Sequence, residues 1–516
     1  MKKQVMNNKR RDLLKGIATL PFLGYFAFSF RDNIALELSE KTKDPLKTLK
    51  IGELDAPKEK LLPPTGNSSN RLRFGLIGNG WRGEQLLTAF GFMHADKLNE
   101  HIIDGKYSKW LQTFLNQEDL NVEFAGVCDT FSLHAKHGSE FLLNDLRPGG
   151  GKGIKKPAKI FTTYKEMIAS DEIDAVVICT PDHTHAQIAI DAAKAGKHVY
   201  LEKPMTHSIE EAIELRNTIR LTGVVFQLGH ENRQQMSFKM AKEMYQKGAL
   251  GEVSMVQTYT NRNSEDGAWI RKRKFDHLGN LSTINWKEFL GNKPWCEFDP
   301  KKYFNWQRYS EYGTSMIGND FSHKYDCVNQ VLSLGIPETV VALGGQYYYK
   351  NHGDIADVVN VIFSYPERGL TMTYDGTLKS GIYRQSHILG SEATMDIDLA
   401  IMMYKDGDSQ RFKDVEMDPS NPMYYYAPAQ VDAVTSATAK TYAKGGYGAT
   451  SIDGKVIDAT LLHIKEWIDA IRGHGKTSCD IDAGFEEAVT FNLANLAYEN
   501  KKTVRWDKVN EKAIIG

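Results

Sequence analysis

The chain has 516 residues, 41% hydrophobic and 25% charged, the make-up of an average soluble protein but too long for one ordinary core, so two domains with extra segments are expected. A formal net charge of −1 gives no electrostatic ground for a nucleic-acid partner or an acidic membrane surface. Five cysteines in so long a chain make no disulfide framework, and no pair has metal-site spacing, so no metal is expected.

Residues 1–30 differ in kind from the rest. Lys2, Lys3, Lys9, Arg10, Arg11 and Lys15 precede a short apolar stretch from Gly16 to Phe30. A basic head and a short apolar segment predict an export signal. Lys9-Arg10-Arg11-Asp12-Leu13-Leu14 resembles the twin-arginine type, whose pathway carries folded proteins and which predicts a periplasmic location. A basic tail on a cytoplasmic enzyme is the alternative, and an uncleaved signal anchor stays open. No internal run approaches the roughly 20 apolar residues needed to cross a bilayer. Residues 31–70, ending in Leu62-Pro-Pro-Thr-Gly-Asn-Ser-Ser-Asn70, read as a linker.

From 71 to 229 short apolar runs alternate with helical patterns. Strands are expected at 72–77, 124–128, 175–180, 198–201 and 224–228, with a helix from Ala186 to Ala195. That alternation predicts an α/β fold whose parallel sheet is covered on both faces and takes ligands at the carboxyl ends of its strands. From 230 to 516 the strand-like runs 253–258, 358–363 and 370–374 predict a second, α+β domain with an open, mostly antiparallel sheet, closed by helices near 460–472 and 484–499. An open sheet must hide its apolar side, so a homo-oligomer is expected.

Gly78-Asn79-Gly80-Trp81-Arg82-Gly83 follows the first strand directly and opens a helix. This is the setting in which G-x-G-x-x-G means a dinucleotide site: one glycine for the turn, one for the approach of a pyrophosphate, one for helix–strand packing. Asp129 ends the second strand, where an acid bonds a ribose 2′-hydroxyl and disfavours a 2′-phosphate, so NAD is expected over NADP. Its spacing from Gly83 is long, which an insertion between 91 and 121 would explain; a strand-end cap is the alternative.

Thr180-Pro181-Asp182-His183-Thr184-His185 and Gly196-Lys-His-Val-Tyr-Leu-Glu202-Lys203-Pro204 resemble the Gfo/Idh/MocA oxidoreductases. The resemblance implies a Rossmann domain, a C-terminal α/β domain, NAD(P), and a sugar or polyol substrate. It places Lys203 beside the nicotinamide and the reacting hydroxyl, with Thr180, Pro181, His185 and Glu202 as further cofactor contacts. It also places an acid and a histidine on a helix of the second domain, matching Gly313 to Asp326. There His323 is the base and Asp320 the acid that orients it, although many members carry the acid at the position of Asn319. Lys203, Asp320, His323 and Arg233 are the expected substrate contacts. His183 and His185 can equally cap the next helix, and Arg233 can equally form an ion pair. Trp269, Trp286, Trp295, Trp306, Tyr303 and Tyr309 fit sugar stacking for one or two of them, or packing under loops.

The expected function is hydride transfer at a sugar, polyol or glycoside hydroxyl. A first alternative is redox-assisted glycoside cleavage with tightly bound, internally recycled NAD; a second is a non-catalytic dinucleotide-binding sensor.

Overall fold

The computed structural model describes residues 71–103, 105–115, 117–143, 157–263, 275–350, 353–397, 401–415, 422–426, 449–452 and 455–516. The expected signal, the linker and Trp269 lie outside the described residues.

The first sheet has six parallel strands: β1 (Leu72–Ile77), β2 (Val122–Cys128), β3 (Lys159–Phe161), β4 (Ala175–Ile178), β5 (His198–Leu201) and β6 (Phe226–Leu228). Their spatial order is β3-β2-β1-β4-β5-β6, the doubly wound order that leaves a crevice where β1 meets β4. Strand alternation sorts the side chains into two cores. Val176, Ile178, Val199 and Leu201 pack on one face, with Ile188 and Ala189 of α3 (Asp182–Lys194) and Leu215 and Ile219 of α4 (Ile209–Thr222). Phe74, Leu76, Ala175 and Val177 pack on the other, with Leu86 and Leu87 of α1 (Trp81–Ala89) and Phe141 of α2 (Ser132–Phe141). Strand β3 and helix α4 are not foreseen by the periodicity.

The second face is completed from far along the chain. Leu461, Ile464, Trp467 and Ile468 of α7 (Ala459–Ile471) join that core, so the helix expected to close the second domain covers the first sheet instead. The insertion after α1 forms its own short helices, Ala95–Glu100 and Lys109–Leu115, around Met93, Leu111 and Phe114, which accounts for the long interval before Asp129.

The second sheet has ten strands in the order β14-β13-β12-β11-β7-β10-β9-β8-β15-β16. They are β7 (Val253–Asn261), β8 (Thr339–Gly345), β9 (Val358–Tyr365), β10 (Leu370–Thr377), β11 (His387–Gly390), β12 (Ala393–Asp396), β13 (Ile401–Lys405), β14 (Tyr424–Tyr426), β15 (Val504–Asp507) and β16 (Lys512–Ile515). Neighbours are antiparallel except β7 and β10. One face packs on α5 (Met236–Gln246), α6 (Ser322–Leu332) and α8 (Ile481–Asn500), with Phe321 stacked on Phe363. On the other face Val341, Leu343 and Ile362 remain exposed.

Between these domains, residues 275–312 run back over the first sheet as a strap. The Asn285 N–H donates to the Thr130 carbonyl at 2.7 Å, the Ser132 N–H donates to the Thr283 carbonyl at 2.9 Å, and Phe131 bridges to Ile284. Phe131, Ile284, Trp286, Phe289, Leu290, Tyr303 and Tyr312 form a buried cluster that fixes the strap at the carboxyl end of β2.

Candidate active site

A cleft of about 320 Å³ lies between the carboxyl edge of the first sheet and the strap. Gly78, Gly80, Trp81, Arg82, Asp129, Thr180, Pro181, His185, Glu202, Lys203, Asp320 and His323 all line it, so one cavity gathers most of the residues singled out from the sequence.

The glycine turn is shaped for close approach. Gly78 has φ +91°, and a Cβ there would meet the Cys179 carbonyl oxygen at 2.6 Å. A Cβ on Gly83 would meet the Gly78 carbonyl oxygen at 2.4 Å, so helix and strand touch backbone to backbone. A Cβ on Gly80 would meet nothing within 4 Å, because that face opens on the cleft. No side chain caps α1, which leaves its N-terminus available to an anion. The Asp129 carboxylate accepts from the Asn79 N–H at 2.7 Å and the Phe131 N–H at 2.8 Å, holding the turn while facing the cleft. These features fit a dinucleotide. Asn79 itself is buried and its amide donates to the His134 carbonyl, so it holds the turn to α2 rather than lining the cleft.

Arg82 is held from two sides. Its guanidinium bonds Glu202 at 2.7 Å and Glu231 at 2.9 Å, both buried. His185 is braced between the carbonyls of Thr180 and Pro204, each 2.8 Å from a ring nitrogen. His183 packs in the strap cluster, its Nε2 2.7 Å from the Phe289 carbonyl, and serves no cleft contact.

Lys203, at the end of β5, meets a widened turn of the second domain. Residues Ile317–Phe321 form a π-helical turn before α6, a distortion often found at functional sites. Gly318 is required there, since a Cβ would lie 2.1 Å from the Thr314 side chain. The turn exposes the Asn319 carbonyl, which accepts from Lys203 Nζ at 2.9 Å. The Asn319 amide reaches Asp182 and accepts from Gln307, so Asn319 carries the lysine on its backbone and is locked by its side chain. Burial lowers the Lys203 ammonium pKa, opposed by the charges of Asp320, Asp182 and Glu202.

His323 begins α6 on the same wall, 5% exposed, with its ring edge-on to His230 at 5.5 Å. Burial holds its pKa well below the ordinary value, and Lys203, His230, Arg82 and Arg262 add to that depression. Its surroundings therefore favour the neutral ring, the form that can accept a proton. The orienting role of Asp320 is corrected. Its Oδ1 is held by Arg262 at 2.6 Å rather than by His323, while Oδ2 has no protein partner. Arg233 does not line the cleft. It is buried in an ion pair with Asp326, close against the Ser478 carbonyl.

Arg262, Asp182, Glu231 and Gln307 line or brace the site without having been assigned a role from the sequence. Asp182 sits inside the Thr180–His185 motif, which is a usable signal; the others are brought in by tertiary folding alone. Of the aromatic residues, Trp306 and Tyr303 line the cleft, Trp286 is buried in the strap cluster and Trp295 is exposed.

Two family models match the chain. One, an oxidoreductase family NAD-binding Rossmann fold, covers residues 72–230, and the other, the same family's C-terminal alpha/beta domain, covers 291–506. The chain belongs to the Gfo/Idh/MocA oxidoreductase family. Its first domain is that family's NAD-binding unit. Among curated relatives, 2,7-anhydro-N-acetylneuraminate hydratase of Escherichia coli is 23% identical over 49% of this chain and 59% of its own length. Levoglucosan dehydrogenase of Pseudarthrobacter phenanthrenivorans is 28% identical over 35% of this chain and 41% of its own. These matches therefore span about half the length of the curated relatives. The fold extends further: WlbA dehydrogenase of Bordetella pertussis, solved with NADH and UDP-GlcNAcA, superposes with a TM-score of 0.54 at 17% identity, over 85% of this chain and 99% of that one.

Proposed function

We propose that this Gfo/Idh/MocA protein is an NAD-dependent oxidoreductase acting on a hydroxyl of a sugar, polyol or glycoside. The observation that carries the reading is the convergence of Lys203 from the first domain and His323 from the second on one cleft that continues to the glycine turn. Bound NAD would supply the hydride acceptor. The neutral His323 ring accepts the hydroxyl proton, and the Lys203 ammonium, fixed by the Asn319 carbonyl, stabilises the developing alkoxide. Asp320 Oδ2 offers an acceptor to a neighbouring hydroxyl, with Arg262 holding the carboxylate in place. The dehydrogenase among the relatives supports a carbohydrate substrate.

A second reading is favoured by the strap. Backbone bonds and a buried aromatic cluster hold it at the carboxyl end of β2, a cover that would slow exchange of a bound nucleotide and so suit a cofactor reused within each cycle. A relative named as a hydratase is in keeping with chemistry that leaves no net reduced nucleotide. Incubating the purified protein with a panel of glycosides, while following reduced-nicotinamide absorbance beside product release, separates these readings. Net NADH marks a dehydrogenase and product without net NADH marks internal recycling; bound nucleotide with no turnover would leave only a sensor and refute the enzymatic reading.

Two proposals concern placement. The basic and apolar character of residues 1–30 supports twin-arginine export, which localisation of a tagged full chain tests against cytoplasmic retention. The exposed Val341, Leu343 and Ile362 support a second copy covering the open sheet, which sedimentation of the purified chain tests.

A further inference from the structure

Behind His323, outside the cleft lining, lies a buried ionic cluster. His230 follows β6, Asp326 stands on α6 three residues past His323, and Glu487 comes from α8. The three-residue spacing puts Asp326 and His323 on one face of α6, and His230 packs against both. The His230 Nε2 is in direct contact with the Glu487 carboxylate, and its Nδ1 lies 3.9 Å from Asp326 Oδ2. Its ring stands at right angles to that of His323, with centroids 5.5 Å apart. With the Asp320 carboxylate engaged by Arg262, the His323 ring has its fixed polar neighbour in His230 instead.

Charge balance calls for one proton in this cluster. Glu487 and Asp326 bring two negative charges, and Arg233, paired with Asp326, brings one positive. Without a further proton one charge would stay uncompensated away from water, which is steeply unfavourable. Imidazole is a stronger base than a carboxylate and here has an acid at each nitrogen, so His230 holds the proton rather than Glu487. Burial alone lowers the His230 pKa, but Glu487 and Asp326 outweigh it and raise it, with Arg233 opposing them. His463 of α7, whose Nε2 is 3.2 Å from the His230 N–H, is shifted by burial toward its neutral form. Glu231, next in the chain, is engaged by Arg82. Lys203, Arg82 and Arg262 also act on His323, and Asp320 lines the same wall.

We propose that His230 is a positioning residue for the base: clamped as an imidazolium between Glu487 and Asp326, it fixes the angle of the His323 ring and repels a proton from it. The inference rests on the reading of His323 as the base of the proposed reaction. The clamp draws on the end of β6, on α6 and on α8, so it ties the base of the second domain to the first domain. A positive neighbour keeps His323 in the form that can accept a proton and makes the accepted proton easier to release once the hydroxyl has reacted.

The test is an NMR pH titration of isotope-labelled histidine rings in the purified full chain, with signals assigned from His230→Gln and His323→Ala. In the wild type His230 should stay protonated above the ordinary histidine value of 6.5, and His323 should titrate below it. His230→Gln removes the cation and should raise the His323 midpoint by about one pH unit. Glu487→Gln leaves the ring in place and removes its counter-charge, so the His230 midpoint should fall and that of His323 rise. With a glycoside that the wild type turns over, the acid limb of the rate profile should move up with the His323 midpoint, an effect that loss of packing alone would not produce. A His230 ring neutral at pH 6.5 in the wild type overturns the inference. So does a His323 midpoint unmoved in His230→Gln, or in Glu487→Gln should the first variant fold poorly. The titration needs no substrate: the expected midpoints without turnover of any glycoside would overturn the enzymatic reading and leave the clamp standing.

Discussion

The two walls of the cleft are built in different ways. The first-domain wall comes from short contiguous stretches, 78–83, 129–130, 180–185 and 202–203, each set by a local turn at a strand end. The second-domain wall is gathered from residues far apart, Arg262, Glu288, Phe289, Tyr303, Trp306, Gln307 and 319–323, and is held by ion pairs, aromatic packing and a widened helical turn. Local backbone demands fix the first wall; tertiary packing fixes the second. The comparison teaches that damage to the glycine turn should cost nucleotide binding, while damage to Lys203 or to the second-domain wall should cost turnover.

The sharpest break is at His323. His323→Ala should lower turnover by about 10²–10⁴-fold, the range for loss of a positioned base, while NAD binding measured by fluorescence titration is unchanged. Undiminished turnover would remove His323 from the mechanism. Lys203→Met should cost about 10²–10³-fold in turnover, as expected for loss of a charge-stabilising donor, again with the nucleotide retained.

The next effect is on pH dependence. His323 must be neutral to accept a proton and its pKa is depressed, so the acid limb of the rate profile should fall below the ordinary histidine value of 6.5. Lys203 must be charged to stabilise an alkoxide and its pKa is lowered, so the alkaline limb should fall below the ordinary lysine value of 10.5. An acid limb at or above pH 6.5 would show that another group supplies the base.

A smaller effect tests the strap alone. The Tyr303 hydroxyl lies 2.9 Å from Thr130 Oγ1 and ties the strap to the first sheet. Tyr303→Phe should lose roughly 1 kcal/mol, the worth of one hydrogen bond, and speed NADH release about fivefold in stopped flow. Unchanged release would mean that the strap does not limit exchange.

The smallest effect concerns stability. Burial pushes the Asp458 carboxyl up to about 7 from 3.8, so the fold favours its protonated form. That contribution is complete below the unfolded value and is lost as pH rises through the folded one. Asn caps a helix as well as Asp, so Asp458→Asn should raise Tm at pH 8 by more than at pH 5. An equal shift at both would show that Asp458 is already ionised.

Much of the first wall was legible in the sequence. Gly78 and Gly83 are demanded by backbone contacts that only glycine permits, Gly80 opens on the cleft, and Lys203 and His185 stand in a recognisable motif. His323, also singled out from the sequence, is brought to the same cleft. The parts that escaped are those decided by folding at a distance. Arg262 captures Asp320, Asp326 captures Arg233, and neither pairing has a sequence signal. Asp320 and His323 line the same cleft, but the carboxylate is taken by Arg262 from just beyond β7, which helical spacing alone does not foretell. Helix α7 crosses back to the first sheet because Trp467 and its neighbours complete that core, a partnership hidden from periodicity.

The most direct test is an experimental structure of the purified chain with NAD. The dinucleotide should lie along the Gly78–Gly83 turn, its ribose hydroxyls at Asp129 and its nicotinamide ring between Lys203 and His323. A nucleotide bound elsewhere, or a ring out of reach of the Lys203 ammonium, would contradict the account.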